Sequence, residues 1–298
     1  MTTNNGVLLV DKARGPTSHD VVARIRRLLA ERRVGHAGTL DPMATGLLIV
    51  AVGPATRLLR YAQGQSKRYE GEVTFGVRTD SLDADGAVVE IRAVPPLDGE
   101  RVAEASRDVG GRTSQTPPMV SALKVKGRRL HEMARAGEHV ERSPRPVVVS
   151  NFELTATDDP ARWRFAVTCS SGTYVRVLLS DVAERLGTVG HLSSLRRTHS
   201  GRHDVSNAVT LEGLEQRVAA GAGVLAPART LVDHLAPWRV DGEDELRIRR
   251  GQRVTGAPIS LEGEVAALNG AGELVAVLVR RDDSWQPTIV MPPSEMDE

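Results

Sequence analysis

The stretch Gly35-His36-Ala37-Gly38-Thr39-Leu40-Asp41-Pro42-Met43-Ala44-Thr45-Gly46 holds one carboxylate, Asp41, between small residues. Glycine on both sides permits tight turns and lets a flat ligand approach the backbone closely. Pro42 disfavours the helical conformation at the residue before it, so Asp41 is expected in a turn or an extended segment. Aspartate followed by proline can also cap a helix. However, the apolar run at residues 47–52 is typical of a buried strand, which weakens the capping interpretation.

The residues around this segment predict alternating strands and helices. Residues 6–11 form a short apolar run, and residues 69–77 alternate between apolar and polar side chains, as in a strand with one buried face. Further strands are predicted at residues 87–91, 147–154 and 163–169. One helix is expected to begin at a cap formed by Ser18 or Asp20, and another to span residues 175–186 and end at Gly187.

Two regions depart from this pattern. Residues 113–146 are rich in Pro, Gly and Arg and show no periodic apolar face, which predicts a protruding insertion. After Pro237 the chain changes to short apolar runs separated by Gly and Asp, at residues 253–259, 265–268, 274–279 and 288–291. Short, evenly spaced runs of this kind predict a small β-barrel or sandwich.

Composition limits the classes of protein that fit. With 298 residues, of which 40% are hydrophobic, the chain has enough material for one large domain and a small one. Cys169 is the only cysteine, which excludes an internal disulfide and a cysteine-rich metal site. His199 and His203 have a spacing compatible with a metal, but no other candidate ligands lie near them in sequence. We therefore predict no metal site.

The formal net charge of +1 conceals an uneven distribution along the chain. Residues 12–33 carry seven basic and two acidic side chains, and residues 112–146 carry eight and three. Residues 240–298 instead carry six basic and twelve acidic side chains. Phosphate contacts depend on local basic density, so the first two segments are the candidates for nucleic-acid binding.

The N-terminal residues lack the basic start and long apolar run of a signal peptide. Nor does any apolar stretch approach the roughly 18 residues that a transmembrane helix needs. These features predict a soluble, cytoplasmic protein.

The segment at residues 35–46 resembles the catalytic motif of the TruB family, the tRNA pseudouridine synthases that act on a uridine of the T-arm loop. Five further blocks resemble that family in the same order: Lys67-Arg68-Tyr69, residues 78–86, residues 117–124, Gly172-Thr173-Tyr174-Val175-Arg176, and Leu195-Arg196-Arg197. The resemblance extends over about residues 6–236 and is weaker beyond. It departs from the family at Ala13, where proline is common, and at His131, where tyrosine is common.

The resemblance implies an α+β fold, with a mixed β-sheet and flanking helices, followed by a small C-terminal β-barrel of the PUA type. We expect the catalytic domain at residues 1–236, with an RNA-binding insertion at about 112–146, and the PUA-like domain at residues 237–298. It also implies isomerisation of uridine-55 in the tRNA T-loop, with no cofactor. There are two alternatives: the same chemistry on another structured RNA, or an RNA-binding folding factor without turnover.

Site residues follow from the matched motifs. Asp41 is the expected nucleophile, attacking C6 of the base or C1′ of the ribose, and Arg176 would hold its carboxylate ionised. His36 would fill the space left by the flipped base, whereas four residues would form the substrate pocket: Tyr69, Asp83, Tyr174 and Leu195. Tyr69 is also on the inward face of its strand, so core packing is its alternative role. The RNA backbone would be bound by Lys12, Lys124, Lys126, Arg128 and Arg129. The expected partner is the tRNA T-arm stem-loop, with no membrane or protein partner and a monomeric enzyme.

Overall fold

A computed structural model of the chain describes residues 4–121, 123–125, 127–138, 140–255 and 262–293. In the first part of the chain the elements are β1 (Gly6–Lys12), α1 (Ser18–Leu28), β2 (Val34–His36), β3 (Thr45–Val52), α2 (Leu59–Gln63), β4 (Lys67–Phe75), β5 (Val77–Thr79), β6 (Val88–Ile91) and α3 (Gly99–Gly110). The insertion and the strands after it comprise β7 (Ser114–Gln115), β8 (Lys124–Val125), β9 (Arg128–Arg129), α4 (Leu130–Arg135), β10 (Arg145–Pro146), β11 (Val149–Ala156) and β12 (Arg162–Cys169).

The remaining elements are α5 (Val175–Arg185), β13 (Gly190–Ser200), β14 (His203–Asp204), α6 (Leu211–Ala219), β15 (Ala236–Arg239), α7 (Gly242–Arg249), β16 (Glu264–Leu268), β17 (Leu274–Arg281) and β18 (Ser284–Val290). Three short 3-10 helices lie at Gly53–Leu58, Val205–Asn207 and Ala228–Leu231. The predicted strands and the two predicted helices occupy nearly the expected residues, apart from the run at 253–259. Residues 256–259 of that run lie outside the described residues, and residues 253–255 form no strand but only a single bridge from Val254 to Trp285.

The main sheet has the strand order β1-β3-β13-β4-β12-β11, with β2 added to β3 and β14 added to β13. Its neighbours are antiparallel except for β13 beside β3, where Arg196 is opposite Thr45 in a parallel pair. This mixed sheet with helices confirms the predicted α+β fold. Its central strand, β13, connects the segment after Asp41 to the strand that carries Tyr69.

Apolar side chains alternate with polar ones along β4 and β12, so that one face of the sheet packs against the helices. Side chains such as Val73, Phe75 and Phe165 lie on this face and form the main core with the apolar stripes of α1, α3 and α5. The opposite face keeps Glu70 and Glu72 toward solvent. The core thus fixes which strand positions can reach the end of the sheet at which Asp41 lies.

Helix α1 begins differently from the prediction. Thr17, not Ser18 or Asp20, is the N-cap, and it forms a capping box in which Asp20 accepts a bond from the Thr17 backbone. Ser18 has another role, because its hydroxyl donates to the Leu40 carbonyl (3.1 Å) and accepts from the Leu40 amide (2.9 Å). The start of α1 is thereby tied to the residue before Asp41.

The described C-terminal strands form a four-stranded sheet in the order β15-β16-β17-β18. Its own core includes Trp238 and Trp285. A second cluster joins it to the main sheet, with side chains from both parts: Leu47, Ile49, Leu58, Tyr61, Val277, Ile289 and Met291. The division at residues 236/237 and closure of this sheet into a PUA-like barrel stay predictions.

Helices α2, α3, α4, α6 and α7 were not predicted. The insertion contains the short ladders β7–β10 and β8–β9 and helix α4. Among the helices that the structure describes, none is long and apolar enough to span a membrane.

The shared cluster predicts that the two sheets unfold together. Ile289→Ala should lower the free energy of unfolding by about 2–5 kcal/mol, because it leaves a cavity where β18 meets the main sheet. With Trp238 and Trp285 replaced by phenylalanine, Trp163 reports on the main sheet alone. Its fluorescence should show a lowered denaturation midpoint. The control is Thr288→Ser at the exposed neighbouring position, which keeps the hydroxyl that donates to the Val277 carbonyl and should have little effect. A Trp163 midpoint unmoved by Ile289→Ala would contradict a shared core.

Candidate active site

Asp41 lies in the loop between β2 and β3, in a turn rather than at a helix start, and its carbonyl accepts from the Ala44 amide at 3.0 Å. The loop is bounded by Gly38 and Gly46, both with positive φ. A side chain at Gly46 would lie 2.3 Å from the Arg197 carbonyl, so only glycine allows β3 to approach β13 there. The Asp41 side chain is 42% exposed, which leaves its carboxylate accessible from a cleft.

Lys12 supports this loop from beneath. Its ammonium donates to the carbonyls of Ala13 (2.9 Å), Pro42 (3.3 Å) and Ala44 (2.7 Å). The prediction that Lys12 contacts the RNA backbone is wrong, because the side chain is fully buried and its donors are used by these carbonyls. Burial lowers the pKa of Lys12 to about 8, although the charge of Asp41 opposes the shift.

Arg197 holds the same loop at its two ends. Its Nε donates to the Leu47 carbonyl at 2.7 Å, and its Nη2 donates to the Gly38 carbonyl at 3.1 Å. The side chain is 1% exposed. Lys12 and Arg197 therefore hold the backbone on both sides of Asp41 without using its carboxylate.

Arg176 lies in the first turn of α5 and brings three separate segments to Asp41. Its Nη1 donates to the carboxylate of Asp83 (3.2 Å) and to the Ser81 carbonyl (3.0 Å). Its Nη2 donates to the Val120 carbonyl at 2.6 Å and lies 3.5 Å from Oδ2 of Asp41. The predicted group of Asp41, Arg176 and Asp83 is thus brought together, with Arg176 and Asp83 both buried.

The cleft beside Asp41 has a volume of about 280 Å³. Among its lining residues are the predicted pocket residues Tyr69, Tyr174 and Leu195, together with Lys67 and Arg197. The guanidinium carbon of Arg176 lies 5.9 Å from the centre of the Tyr174 ring. A larger groove of about 580 Å³ opens on the solvent-facing side of the sheet, but Asp41 does not line it. Asp41 and its neighbours therefore define the smaller cleft as the candidate site.

The backbone positions the two tyrosines. Tyr69 lies near the start of β4, where it contributes to the core and also reaches the cleft, so both of its expected roles are compatible with its place. Burial raises its pKa, so the hydroxyl stays protonated. Tyr174 is the N-cap residue of α5, and Gln115 bonds both its amide (2.8 Å) and its carbonyl (3.1 Å).

His36 ends β2 and does not line the Asp41 cleft. Its ring makes an edge contact with His19 at 5.5 Å between centroids. Burial is the main reason that the pKa of His36 is lowered, so its ring is neutral at neutral pH. A neutral, half-buried ring at the loop edge is compatible with the expected shape role, which stays a prediction.

The predicted phosphate contacts of the insertion fall partly outside the described residues. Lys126 lies outside them, and for Lys124 and Arg129 only the backbone is described. Arg128 is exposed and forms two hydrogen bonds with Glu138, at 2.9 and 3.0 Å. An exposed pair of this kind contributes little stability, so Arg128 can exchange Glu138 for a phosphate.

Sequence reasoning missed Lys67, Arg197, Ser81 and Gln115. The first two lie inside the matched blocks Lys67-Arg68-Tyr69 and Leu195-Arg196-Arg197, so the block match was the signal available for them. Among the described residues no cluster of His, Cys, Asp and Glu could hold a metal ion.

Two family models match the chain. The N-terminal domain of the TruB family pseudouridylate synthases matches residues 26–175, and the C-terminal domain of tRNA pseudouridylate synthase B matches residues 176–238. The tRNA pseudouridine synthase B of Thermobifida fusca is 42% identical over 297 residues, covering 96% of this chain and 98% of that protein. The Streptococcus gordonii protein of the same name is 40% identical, covering 95% and 98%.

A solved Cbf5–Nop10–Gar1 complex contains a chain with the same fold, at a TM-score of 0.76 and 24% identity, covering 97% of this chain and 86% of that one. Fold and relatives together define a pseudouridine synthase, an isomerase that converts uridine to pseudouridine. More particularly, the chain belongs to the TruB family.

The buried ammonium of Lys12 predicts a pH dependence of stability. Between about pH 8 and 10.5 the folded state holds Lys12 neutral whereas the unfolded state still binds the proton. The unfolded state then binds more protons, so the free energy of unfolding should rise with pH in this range. Relative to Lys12→Met, which shares all other titrating groups, wild type should gain at most about 3 kcal/mol. Denaturant titrations at pH 7.5 and 9.5 should capture about 2 kcal/mol of this gain. An equal difference between wild type and variant at both pH values would contradict the shift.

Proposed function

We propose that this pseudouridine synthase acts on tRNA and isomerises uridine-55 of the T-loop. The proposal rests on one observation above all: the half-exposed carboxylate of Asp41 lies 3.5 Å from the buried guanidinium of Arg176, in a cleft walled by Tyr69. The two relatives compared above, both named tRNA pseudouridine synthase B, support the choice of tRNA.

In this proposal Asp41 is the nucleophile. A carboxylate side chain needs no partner base to act as a nucleophile at neutral pH, and the guanidinium of Arg176 lies 3.5 Å from the carboxylate of Asp41. Attack at C6 of the base and attack at C1′ of the ribose both remain open. The isomerisation breaks the C1′–N1 and C5–H bonds and forms the C1′–C5 and N1–H bonds. The proton lost from C5 goes to solvent and N1 takes one up, so there is no net gain or loss of a group and the proposal includes no cofactor.

The target uridine must leave its stack to reach Asp41, because the carboxylate lies in a cleft and not on an open surface. We propose that the flipped base stacks on Tyr69, with Leu195 and Tyr174 on other sides of the cleft. His36, at the edge of the loop, would take the place of the base in the RNA. Asp83 would act through Arg176, which it binds at 3.2 Å.

The T-arm stem-loop is the proposed partner, and we propose that the insertion binds it. The insertion adjoins the site directly, because Val120 accepts from Arg176 and Gln115 binds Tyr174. Action as a monomer in the cytoplasm, where tRNA is processed, belongs to the same proposal.

The test is incubation with a T-arm hairpin and mapping of pseudouridine in the product. Wild type should modify the T-loop uridine at position 55, whereas Asp41→Asn should form no detectable product, because it keeps the volume but removes the charge. RNA affinity of the variant should stay within about tenfold, or about 1.4 kcal/mol. Turnover by Asp41→Asn would contradict the assignment of Asp41 as the nucleophile. Wild-type activity only on other structured RNAs would refute the T-loop substrate. Binding of the hairpin without turnover would support the alternative, an RNA-binding folding factor.

The insertion generates a separate prediction about affinity. Neutralising Lys124, Lys126, Arg128 and Arg129 together should weaken hairpin binding and flatten its salt dependence by about one in log–log slope for each lost phosphate contact. Binding isotherms at several salt concentrations measure the slope. The matched control neutralises Arg247, Arg249, Arg250 and Arg253, an equal number of basic side chains in the acidic C-terminal part. Equal slopes for wild type and the insertion variant would mean that these side chains do not contact phosphate.

A further inference from the structure

Three buried cations lie at the Asp41 loop or its cleft without a carboxylate partner. Lys12, Lys67 and Arg197 are each at most 5% exposed, and among the described residues no carboxylate lies within ion-pair distance of them. Arg176 differs, since Asp83 and Asp41 both lie close to its charge. Unpaired buried charges are costly, so their presence calls for a physical reason.

The strand register explains how two of them reach the cleft. Lys67 and Tyr69 are two residues apart on β4, so their side chains share one face. Arg197 is opposite Tyr69 on β13. Both cations line the cleft together with Asp41. Nη1 of Arg197 is buried there and makes no hydrogen bond of normal geometry among the described residues, and the guanidinium is close enough to the Tyr69 hydroxyl to act on its pKa. An unsatisfied buried donor in this place can be directed at charge that develops within the cleft.

Holding the loop does not require positive charge on all these side chains. Lys67 donates only to the carbonyls of Gln63 (3.0 Å) and Gln65 (2.9 Å), which neutral donors could also satisfy. Burial lowers the pKa of Lys67 to about 8, with the nearby Arg197 adding to the shift and Cys169 opposing it. At neutral pH the ammonium is therefore still largely charged. The cleft wall keeps a positive potential that its own backbone contacts do not explain.

The reaction places negative charge in this cleft by either route. If the C1′–N1 bond breaks first, its electron pair stays on N1 and spreads to O2 and O4 of uracil. If Asp41 adds to C6, the C5–C6 electron pair moves toward O4 as an enolate. In both cases the ring becomes anionic before the new C1′–C5 bond forms, and fixed positive charge lowers the energy of that state.

We propose that Arg197 and Lys67 form an electrostatic wall that stabilises the uracil anion formed during isomerisation. The inference rests on the proposed reaction and deepens it. Direct capture of an RNA phosphate is disfavoured, since side chains so deeply buried cannot follow a solvated backbone. The wall acts through the field in the cleft, in addition to the grip of Arg197 on the loop.

The test compares two hairpins that differ only in the target base, uridine or 5-fluorouridine. Fluorine withdraws electrons and stabilises the uracil anion, so this substrate depends less on the protein. Single-turnover rates with excess protein are measured as loss of the starting nucleoside, by chromatography and mass spectrometry, because C5 of the rearranged 5-fluoro base keeps its fluorine and has no proton to release. Arg197→Met should slow the uridine hairpin about 100-fold but the 5-fluorouridine hairpin about tenfold or less. Arg197→Lys, which keeps the charge, should recover most of the difference between the two substrates.

Lys67→Met provides the same comparison at a residue that does not hold the Asp41 loop, should Arg197→Met fail to fold. Arg68→Met is the matched control, since Arg68 is the neighbouring cation on the exposed face of β4 and should affect both substrates equally. Equal slowing of both hairpins by Arg197→Met and Lys67→Met would overturn the proposal and leave only a structural role. So would Arg197→Lys behaving as Arg197→Met does. Absence of turnover in wild type would instead refute the proposed function.

Discussion

The buried guanidinium of Arg176 is the contact on which the site depends. It binds the Ser81 carbonyl, the Asp83 carboxylate and the Val120 carbonyl, and lies beside Asp41. These groups come from the catalytic loop, the segment after β5 and the insertion, so one side chain joins three parts of the chain. Arg176 and Asp83 form a buried ion pair. Removing either partner leaves the other charge uncompensated and lowers the free energy of unfolding by about 3–5 kcal/mol. The placement of Asp41 and the stability of the fold are therefore coupled through one side chain.

Much of the fold could be predicted because burial imposes a period on the strands and on α5. The run at residues 47–52 and the alternation in β4 follow directly from which face each side chain must bury. Helix α7 could not be found in this way, since Ile248 is its only buried residue and charged side chains occupy most of the rest. The cap of α1 was misplaced, by one residue for Ser18 and by three for Asp20, because Thr17, Ser18 and Asp20 are all good caps. Only the contact with Leu40 assigns Ser18 to the catalytic loop.

The site was predicted less evenly than the fold. Asp41, Arg176 and Asp83 were chosen by matched motifs, and their side chains do meet. Lys12 was misassigned because a sequence shows that a residue is cationic but not whether its ammonium faces solvent or backbone carbonyls. The same limit hid Arg197, which in sequence is simply another arginine of an arginine-rich chain. Local charge density is informative about phosphate contacts only where the side chains are exposed.

The way the loop is held bears on what Asp41 can do. Lys12 and Arg197 bind carbonyls before and after Asp41, and Ser18 binds the backbone of Leu40. All of this support reaches the main chain, so neither carboxylate oxygen is needed to keep the turn in place. The only ion pair of Asp41 among the described residues is the 3.5 Å approach of Arg176, which is long enough to leave its oxygens available. A reactive carboxylate must be fixed in position yet weakly engaged, and support through the backbone satisfies both requirements.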